Sequence, residues 1–189
     1  MAHADRTKWD DRYGRRDTRL PLDEPAEFLV SLADQLPTTG RALDVAGGTG
    51  RNAIWLAQRG LGVTLADISP VGLQLASEYA EAAGVVIERV EVDFDVDAFP
   101  AGPWDVIVEM NYMPRSSFGS LADFLAPGGA FIFSQPTLTN LERNDRPPRD
   151  FLLAPGELPD MFDGLTIEFH EECWWPSGVH EARLVARRS

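Results

Sequence analysis

LDVAGGTG, residues 43–50, is an apolar stretch that ends in a glycine-rich turn, and this stretch decides the fold. The apolar residues before the turn are typical of a short buried strand, and the residues from 51 onward have the spacing of a helix. A strand, a bare turn and a helix N-terminus together predict a nucleotide-type binding site. Three glycines in the turn permit positive φ and a close approach of the backbone to a ligand: Gly47, Gly48 and Gly50.

Asp44 is the acidic residue just before this turn. A carboxylate at the carboxyl end of a buried strand is costly unless it meets a cation or several hydrogen-bond donors. A diphosphate would supply neither. The sequence therefore predicts a ligand that is not only an anion.

The length and composition of the chain fit one domain with a full core, since it has 189 residues and 44% of them are hydrophobic. The formal charge is −13 and Lys8 is the only lysine, which argues against a nucleic-acid partner. Cys173 is the only cysteine, so no intramolecular disulfide is expected. The opening residues MAHADRTKWD are charged where a signal peptide has an apolar run, and no window resembles a membrane span. These features predict a cytoplasmic protein without a membrane or nucleic-acid partner, and they leave the oligomeric state open.

Predicted strands and helices alternate along the chain. Apolar spacing and capping residues predict helices at residues 1–20, 23–37, 51–60, 70–84, 117–126 and 156–162. Strands are predicted at residues 41–46, 62–67, 85–93, 104–110, 130–135, 165–175 and 179–188. The alternation predicts an α/β fold with a single-domain, Rossmann-like doubly wound sheet, mainly parallel, that ends in a C-terminal antiparallel β-hairpin.

The carboxyl ends of parallel strands meet at one edge of the sheet, where ligands bind. Four predicted strands end in an acidic residue: Asp44, Asp67, Asp93 and Glu109. Two nucleotides stay open here, because the turn also matches the G-x-G-x-x-G/A dinucleotide pattern and Asp67 lies close to the spacing of that fingerprint. Repulsion between Asp44 and a diphosphate opposes NAD, whereas attraction to an ammonium group favours S-adenosylmethionine.

Nearly the whole chain resembles the class I S-adenosylmethionine-dependent methyltransferases. The matching motifs are LDVAGGTGRN (43–52), LADISP (65–70), VEVDFD (90–95), WDVIVEM (104–110) and LAPGGAFIF (125–133). A narrower resemblance, to the small tellurite-resistance and thiol methyltransferase branch, depends on WDDRY (9–13), on the pairing of GGTGRNAIWLAQRG (47–60) with VTLADISP (63–70), and on FLLAPGEL (151–158). The turn AGGTGRN departs from that branch, which commonly has a cysteine at the second position.

The resemblance implies how the cofactor is held. Asp44 would bind the methionine part together with the backbone of Gly47, Gly48 and Gly50. Asp67 would accept both ribose hydroxyls, and Ile68 would pack on the adenine.

The same resemblance extends to the far side of the nucleoside and to the N-terminus. Asp93 would bind the adenine amino group, with the Phe94 backbone near the ring edge. Arg12 and Tyr13 would close over the methionine carboxylate.

Methyl transfer from a sulfonium depends mainly on the orientation of donor and acceptor and on the exclusion of water. A general base is optional. The resemblance implies that Glu109 and Asn111, near the end of the fourth strand, face the sulfonium or the acceptor. A thiolate or a chalcogen oxyanion needs no base, whereas for an amine or alcohol acceptor Glu109, Tyr112 or His170 could take the proton.

The predicted function is methyl transfer from S-adenosylmethionine to a small molecule, with a thiol or chalcogen oxyanion as the acceptor that the branch suggests and S-adenosylhomocysteine as the product. The alternatives are an NAD-dependent oxidoreductase and a non-catalytic protein that binds S-adenosylmethionine.

Residues 1–189 are predicted to form a single methyltransferase domain, with 1–22 as an N-terminal helix or lid and 136–150 as a mobile substrate loop. Three arginines of that loop would clamp an anionic substrate or keep the loop solvated: Arg143, Arg146 and Arg149. No metal is predicted. DFDVD (93–97) lacks the later glycine and glutamate of a calcium loop, and His170, Cys173 and His180 lack the paired spacing of a zinc site.

Overall fold

The computed structural model describes residues 2–15, 22–113 and 121–189. Their strands are β1 (Arg41–Val45), β2 (Gly62–Asp67), β3 (Glu88–Glu91), β4 (Trp104–Met110), β5 (Leu125–Pro136), β6 (Leu165–Trp174) and β7 (His180–Arg188). Their α-helices are α1 (Ala2–Gly14), α2 (Glu27–Ser31), α3 (Arg51–Gln58), α4 (Pro70–Ala82) and α5 (Leu121–Phe124). Short 3-10 helices lie at Ala33–Gln35, Leu138–Glu142, Arg149–Phe151 and Leu158–Met161.

The strands form one sheet in the order β3-β2-β1-β4-β5-β7-β6. The first five strands in this order pair in parallel, and β7 pairs antiparallel with both β5 and β6. The chain order reverses direction between β1 and β4, which is the switch point where doubly wound sheets bind ligands. The predicted fold class, with its terminal antiparallel hairpin, is confirmed.

Each face of the sheet carries its own core. One face packs under α2, α3 and α4 through Leu29, Leu56 and Leu65, all fully buried. The other face is aromatic, with Trp104 and Phe131 among its largest buried side chains. Because successive strand residues point to opposite faces, each acidic residue at a strand end points toward one of these two cores.

Several predicted elements differ from the observed ones in length. The predicted helix at 23–37 is only the five residues of α2 followed by a 3-10 turn. The strand predicted at 85–93 shrinks to β3, because Val86 is 90% exposed and belongs to the loop after α4. In contrast, β5 is longer than the strand predicted at 130–135, because it begins at Leu125. A register shift opposite Trp104 and Val106 accommodates its Pro-Gly-Gly segment. Part of the helix predicted at 117–126 lies outside the described residues.

Within the described segments, no helix is both long enough and apolar enough to cross a membrane.

Candidate active site

A cavity of about 400 Å³ lies at the carboxyl ends of β1 to β4, beneath α1. Ten residues predicted for the site line it: Arg12, Tyr13, Gly47, Gly48, Asp67, Ile68, Asp93, Phe94, Asn111 and Tyr112. Three predicted residues do not line it: Asp44, Gly50 and Glu109. The lining also includes residues that the sequence analysis did not assign to the site, among them Asp5, Trp9, Asn52, Asp95, Met113 and Phe151.

A second, more open groove of about 840 Å³ lies on the outer side of residues 22–25, against α3 and α4. It contains none of the strand ends. The smaller cavity is therefore the candidate active site, because it gathers the polar groups at the switch point of the sheet.

The glycine turn has a left-handed backbone at three positions. Gly48 has φ +59° and Gly50 has φ +84°, as predicted, but the third such residue is Ala46 at φ +51° and not Gly47. Gly47 is needed for space instead, since a Cβ there would lie 2.4 Å from Asp44 Oδ2 and 2.3 Å from a Leu65 methyl carbon. The sequence pattern could not distinguish these two uses of glycine.

Asp44 is 1% exposed and lies under the turn, not in the cavity wall. Its Oδ2 accepts a hydrogen bond from the Ala53 backbone N–H at 3.0 Å, in the first turn of α3. Its Oδ1 is buried without a partner among the described residues. Burial raises the pKa of Asp44 to about 7. A buried carboxyl with an unsatisfied oxygen is a costly group for a fold to keep.

Asp67, at the end of β2, is tied to the turn by its own side chain. Its Oδ2 accepts from the Gly48 backbone N–H at 2.8 Å, and its Oδ1 accepts from the Ser69 backbone N–H at 2.9 Å. Burial raises the pKa of this carboxyl. Each carboxylate oxygen has a further lone pair, so both can still accept from a pair of ligand hydroxyls.

Helix α1 covers the turn through Tyr13. A Cβ on Gly48 would lie 2.4 Å from the Tyr13 hydroxyl, and a Cβ on Gly72 would lie 2.9 Å from the Tyr13 ring. The ring of Trp9 stacks on that of Tyr13 at 5.6 Å between centroids. Burial raises the pKa of Tyr13, so its hydroxyl is protonated at neutral pH. Gly72, in the first turn of α4, is thus part of the site although no sequence motif identified it.

Two polar contacts tie α1 to the strand ends. Asp10 accepts a hydrogen bond from the Ser69 hydroxyl, which in turn caps α4 by accepting from the Gly72 N–H at 3.0 Å. Arg6 forms an ion pair with Glu91. The helix is therefore docked along the β2 and β3 ends of the cavity.

The side of the cavity near β3 and β4 is largely aromatic. The ring of Phe94 lies 5.7 Å from that of Tyr112 and 5.5 Å from that of Phe99, centroid to centroid. Asn111 turns the chain with φ +60°, and its N–H donates to the Ser134 carbonyl at 2.9 Å. These contacts bring the end of β4 beside the loop that follows β3.

Glu109 is not among the residues that line this cavity, and its predicted place beside the reacting atoms stays a prediction. It is 1% exposed, and its Oε1 has no partner among the described residues. It follows Ile107 by two residues and so points to the aromatic face of the sheet, opposite to Asp44. Burial raises its pKa well above the usual range, because it disfavours the charged form of the carboxyl.

The three loop arginines are not part of the cavity lining. The Arg143 guanidinium instead lies 4.0 Å from the centroid of the Trp174 ring. Residues 136–150 contain a 3-10 helix, and Asn140 accepts from the His180 backbone N–H at 3.1 Å. The mobility predicted for this segment stays a prediction.

Known proteins resemble this chain in sequence and in fold. Residues 42–129 match the sequence model of a family described as a methyltransferase domain. The tRNA 5-carboxymethoxyuridine methyltransferase of Escherichia coli (strain K12) is 34% identical over 111 residues, which are 52% of this chain and 41% of that protein. Magnesium protoporphyrin IX methyltransferase from Synechocystis PCC 6803, solved with bound SAH, aligns with 100% of this chain and 99% of its own, at 19% identity and a TM-score of 0.72. TehB from Haemophilus influenzae aligns with 85% of this chain and 61% of its own, at 18% identity and a TM-score of 0.72.

These matches confirm the predicted resemblance to class I S-adenosylmethionine-dependent methyltransferases, and the likeness to TehB is one of fold. They also confirm S-adenosylmethionine as the cofactor of that class. The chain spans less than half the length of the tRNA methyltransferase that it matches. The acceptor and the activity of the whole protein therefore have to be argued from the site.

Proposed function

We propose that this protein transfers the methyl group of S-adenosylmethionine to a small-molecule acceptor. The observation that carries the proposal is the hydrogen bond from the Gly48 N–H to Asp67, which joins the acid at the end of β2 to the glycine turn within one cavity. This arrangement places a pair of acceptor oxygens beside a backbone that a ligand can approach closely.

The residues present fit the cofactor. Asp67 supplies acceptors for two ribose hydroxyls, Asp93 supplies one for the adenine amino group, and Ile68 and Phe94 supply apolar surface for the base. The unpartnered Oδ1 of Asp44 fits a cationic ligand end near the turn, because a positive charge would stabilise the ionised form of a buried carboxyl.

On this proposal the chain orients the reactants and excludes water. S-adenosylmethionine supplies a methyl group on a sulfonium, which an acceptor lone pair can displace in line. The backbone of Gly47 and Gly48 borders the methionine part, and Arg12 and Tyr13 close over it from α1. Asn111 and Tyr112 border the acceptor, and the protonated phenol of Tyr112 acts as a hydrogen-bond donor. We assign no direct contact to Glu109.

The class of acceptor is argued from the resemblance to the branch and from the charge of the chain. A thiol or chalcogen oxyanion remains the acceptor suggested by the tellurite-resistance branch. A nucleic acid is disfavoured by the formal charge of −13, although one sequence relative acts on tRNA. The cytoplasmic location and the single domain, with residues 1–22 as a lid, are likewise proposals.

The test is release of S-adenosylhomocysteine from S-adenosylmethionine by the full chain, with a panel of tellurite, selenite, small thiols, amines and alcohols. Turnover with any small molecule supports the proposal. Binding of S-adenosylmethionine without turnover on the whole panel would favour the non-catalytic alternative, and binding of NAD in its place would favour the oxidoreductase.

A further inference from the structure

We propose that the methyl acceptor carries a protonated amine that is seated against the rings of Trp9 and Phe151, between carboxylates of the cavity wall. This inference rests on the methyltransferase function proposed above and names the class of its substrate. The amine is the recognised group, whichever atom of the acceptor takes the methyl.

The charges that line the cavity disfavour an anion. The lining contains five aspartates, Asp5, Asp23, Asp67, Asp93 and Asp95, but only two arginines, Arg12 and Arg51. S-adenosylmethionine carries a sulfonium, an ammonium and a carboxylate, so it brings one net positive charge and leaves the cavity negative. Attraction of cations and repulsion of oxyanions follow from that excess.

A cation already occupies the proposed seat. The ammonium nitrogen of Lys8 lies 4.9 Å from the centroid of the Phe151 ring and 5.5 Å from that of the Trp9 ring. Both distances are within the range of attraction between a cation and a ring face, about 6 Å. Lys8 is exposed and long, so it can move aside when a ligand ammonium takes its place.

Phe151 places this seat on the acceptor side of the cavity. Among the described lining residues it is the only one that follows β5 in sequence. Its carbonyl accepts a hydrogen bond from the Gln135 side chain at the end of β5, and the Leu153 N–H donates to the Pro136 carbonyl at 3.1 Å. The ring itself is 48% exposed. Because its backbone is held by hydrogen bonds and its ring is exposed, Phe151 is suited to contact a ligand on this side of the cavity.

Carboxylates line the same cavity as the seat. Asp5 lines the cavity from α1, one helical turn before Trp9. Asp95 lines it from the loop after β3, near Tyr112, whose pKa is raised first by burial and next by the Asp95 charge. An ammonium group between aromatic faces and carboxylates is held by both kinds of attraction.

The test uses three ligands that share a phenylethyl body and differ in charge: phenethylamine, 2-phenylethanol and 3-phenylpropionate. Each is titrated by calorimetry into the full chain saturated with S-adenosylhomocysteine. We expect phenethylamine to bind about tenfold tighter than the alcohol, and the carboxylate to bind most weakly. Equal affinities, no binding of the amine, or tightest binding of the carboxylate would overturn the proposal.

Variants separate this seat from a general effect on folding. Lys8→Gln removes the competing cation and should tighten phenethylamine binding. If Lys8 only stabilised the position of α1, the same substitution would weaken phenethylamine binding. Phe151→Leu should reduce the preference for the amine over the alcohol to about twofold or less. Val86→Thr, at a residue that is 90% exposed and outside the cavity, is the matched control. If the wild-type chain does not bind S-adenosylhomocysteine, the methyltransferase proposal fails; if it does and the amine is not preferred, only this inference fails.

Discussion

The carboxylate of Asp67 accepts a hydrogen bond from the backbone N–H of Gly48 at 2.8 Å, so the acid that ends β2 holds the turn that follows β1. Parallel pairing sets this contact, because Val45 and Ala66 lie side by side, β1 ends at Val45, and β2 ends one residue after Ala66, at Asp67. One side chain thus both shapes the turn and presents its remaining lone pairs to the cavity.

Asp67→Ala should weaken S-adenosylhomocysteine binding about a hundredfold. The substitution removes the acceptor proposed for the ribose and leaves the N–H groups of Gly48 and Ser69 without their partner, and hydrogen bonds to charged groups contribute about 1.5–3 kcal/mol each. Calorimetric titration measures the change. Asp34→Asn, at an exposed acid outside the cavity, is the control, and equal affinities for Asp67→Ala and wild type would remove the ribose assignment.

Asp44 should make the protein less stable as the pH rises. Its pKa is raised from 3.8 to about 7 by burial, so between these values the native state binds more protons than the unfolded state. The stability that the protonated form contributes is lost across that window, by up to about 1.4 kcal/mol per pH unit.

Asp44→Asn removes this proton equilibrium and keeps the shape of the side chain. The free energy of unfolding of the variant should therefore fall less steeply than that of wild type between pH 5 and about 7, as measured by urea denaturation. Glu109 contributes a slope of the same sign in both proteins. Parallel pH profiles for the two proteins would contradict the buried, protonated state of Asp44.

Gly72→Ala should weaken cofactor binding without unfolding the protein. The new Cβ would lie 2.9 Å from the Tyr13 ring and would displace α1 from the turn. We expect the Kd for S-adenosylhomocysteine to rise about tenfold, which corresponds to about 1.4 kcal/mol. Gly14→Ala is the matched control in α1, because a Cβ there meets nothing within 4 Å. If both variants bind like wild type, α1 does not cover the cofactor.

Glu109→Gln should retain the rate of methyl transfer within about twofold, since the side chain does not line the cavity and burial disfavours its charged form. A general base at this position would instead lose about a hundredfold or more in kcat on the same substitution. The assay is initial-rate release of S-adenosylhomocysteine with whichever acceptor the panel identifies. A loss of that size would indicate that Glu109 acts directly on the reacting atoms.

The sequence predicted the parts of the site that lie next to each other along the chain. The glycine turn, Asp67 and the residues after β3 and β4 were found because a buried strand followed by a polar or bare turn is a local signal. The face of Glu109 was not predictable, because β4 is apolar on both faces and its sequence therefore carries no alternation. Gly72 and Phe151 were missed for a different reason. Gly72 lies against Tyr13, and Phe151 is held by Gln135, so each role depends on a contact with a distant segment.

The measurement that tests the central claim most directly is a calorimetric comparison of S-adenosylhomocysteine with NAD on the full wild-type chain. The account predicts binding of S-adenosylhomocysteine with one site per chain and no detectable heat from NAD under the same conditions. Binding of NAD in preference, or binding of neither, would contradict the assignment of this cavity to S-adenosylmethionine.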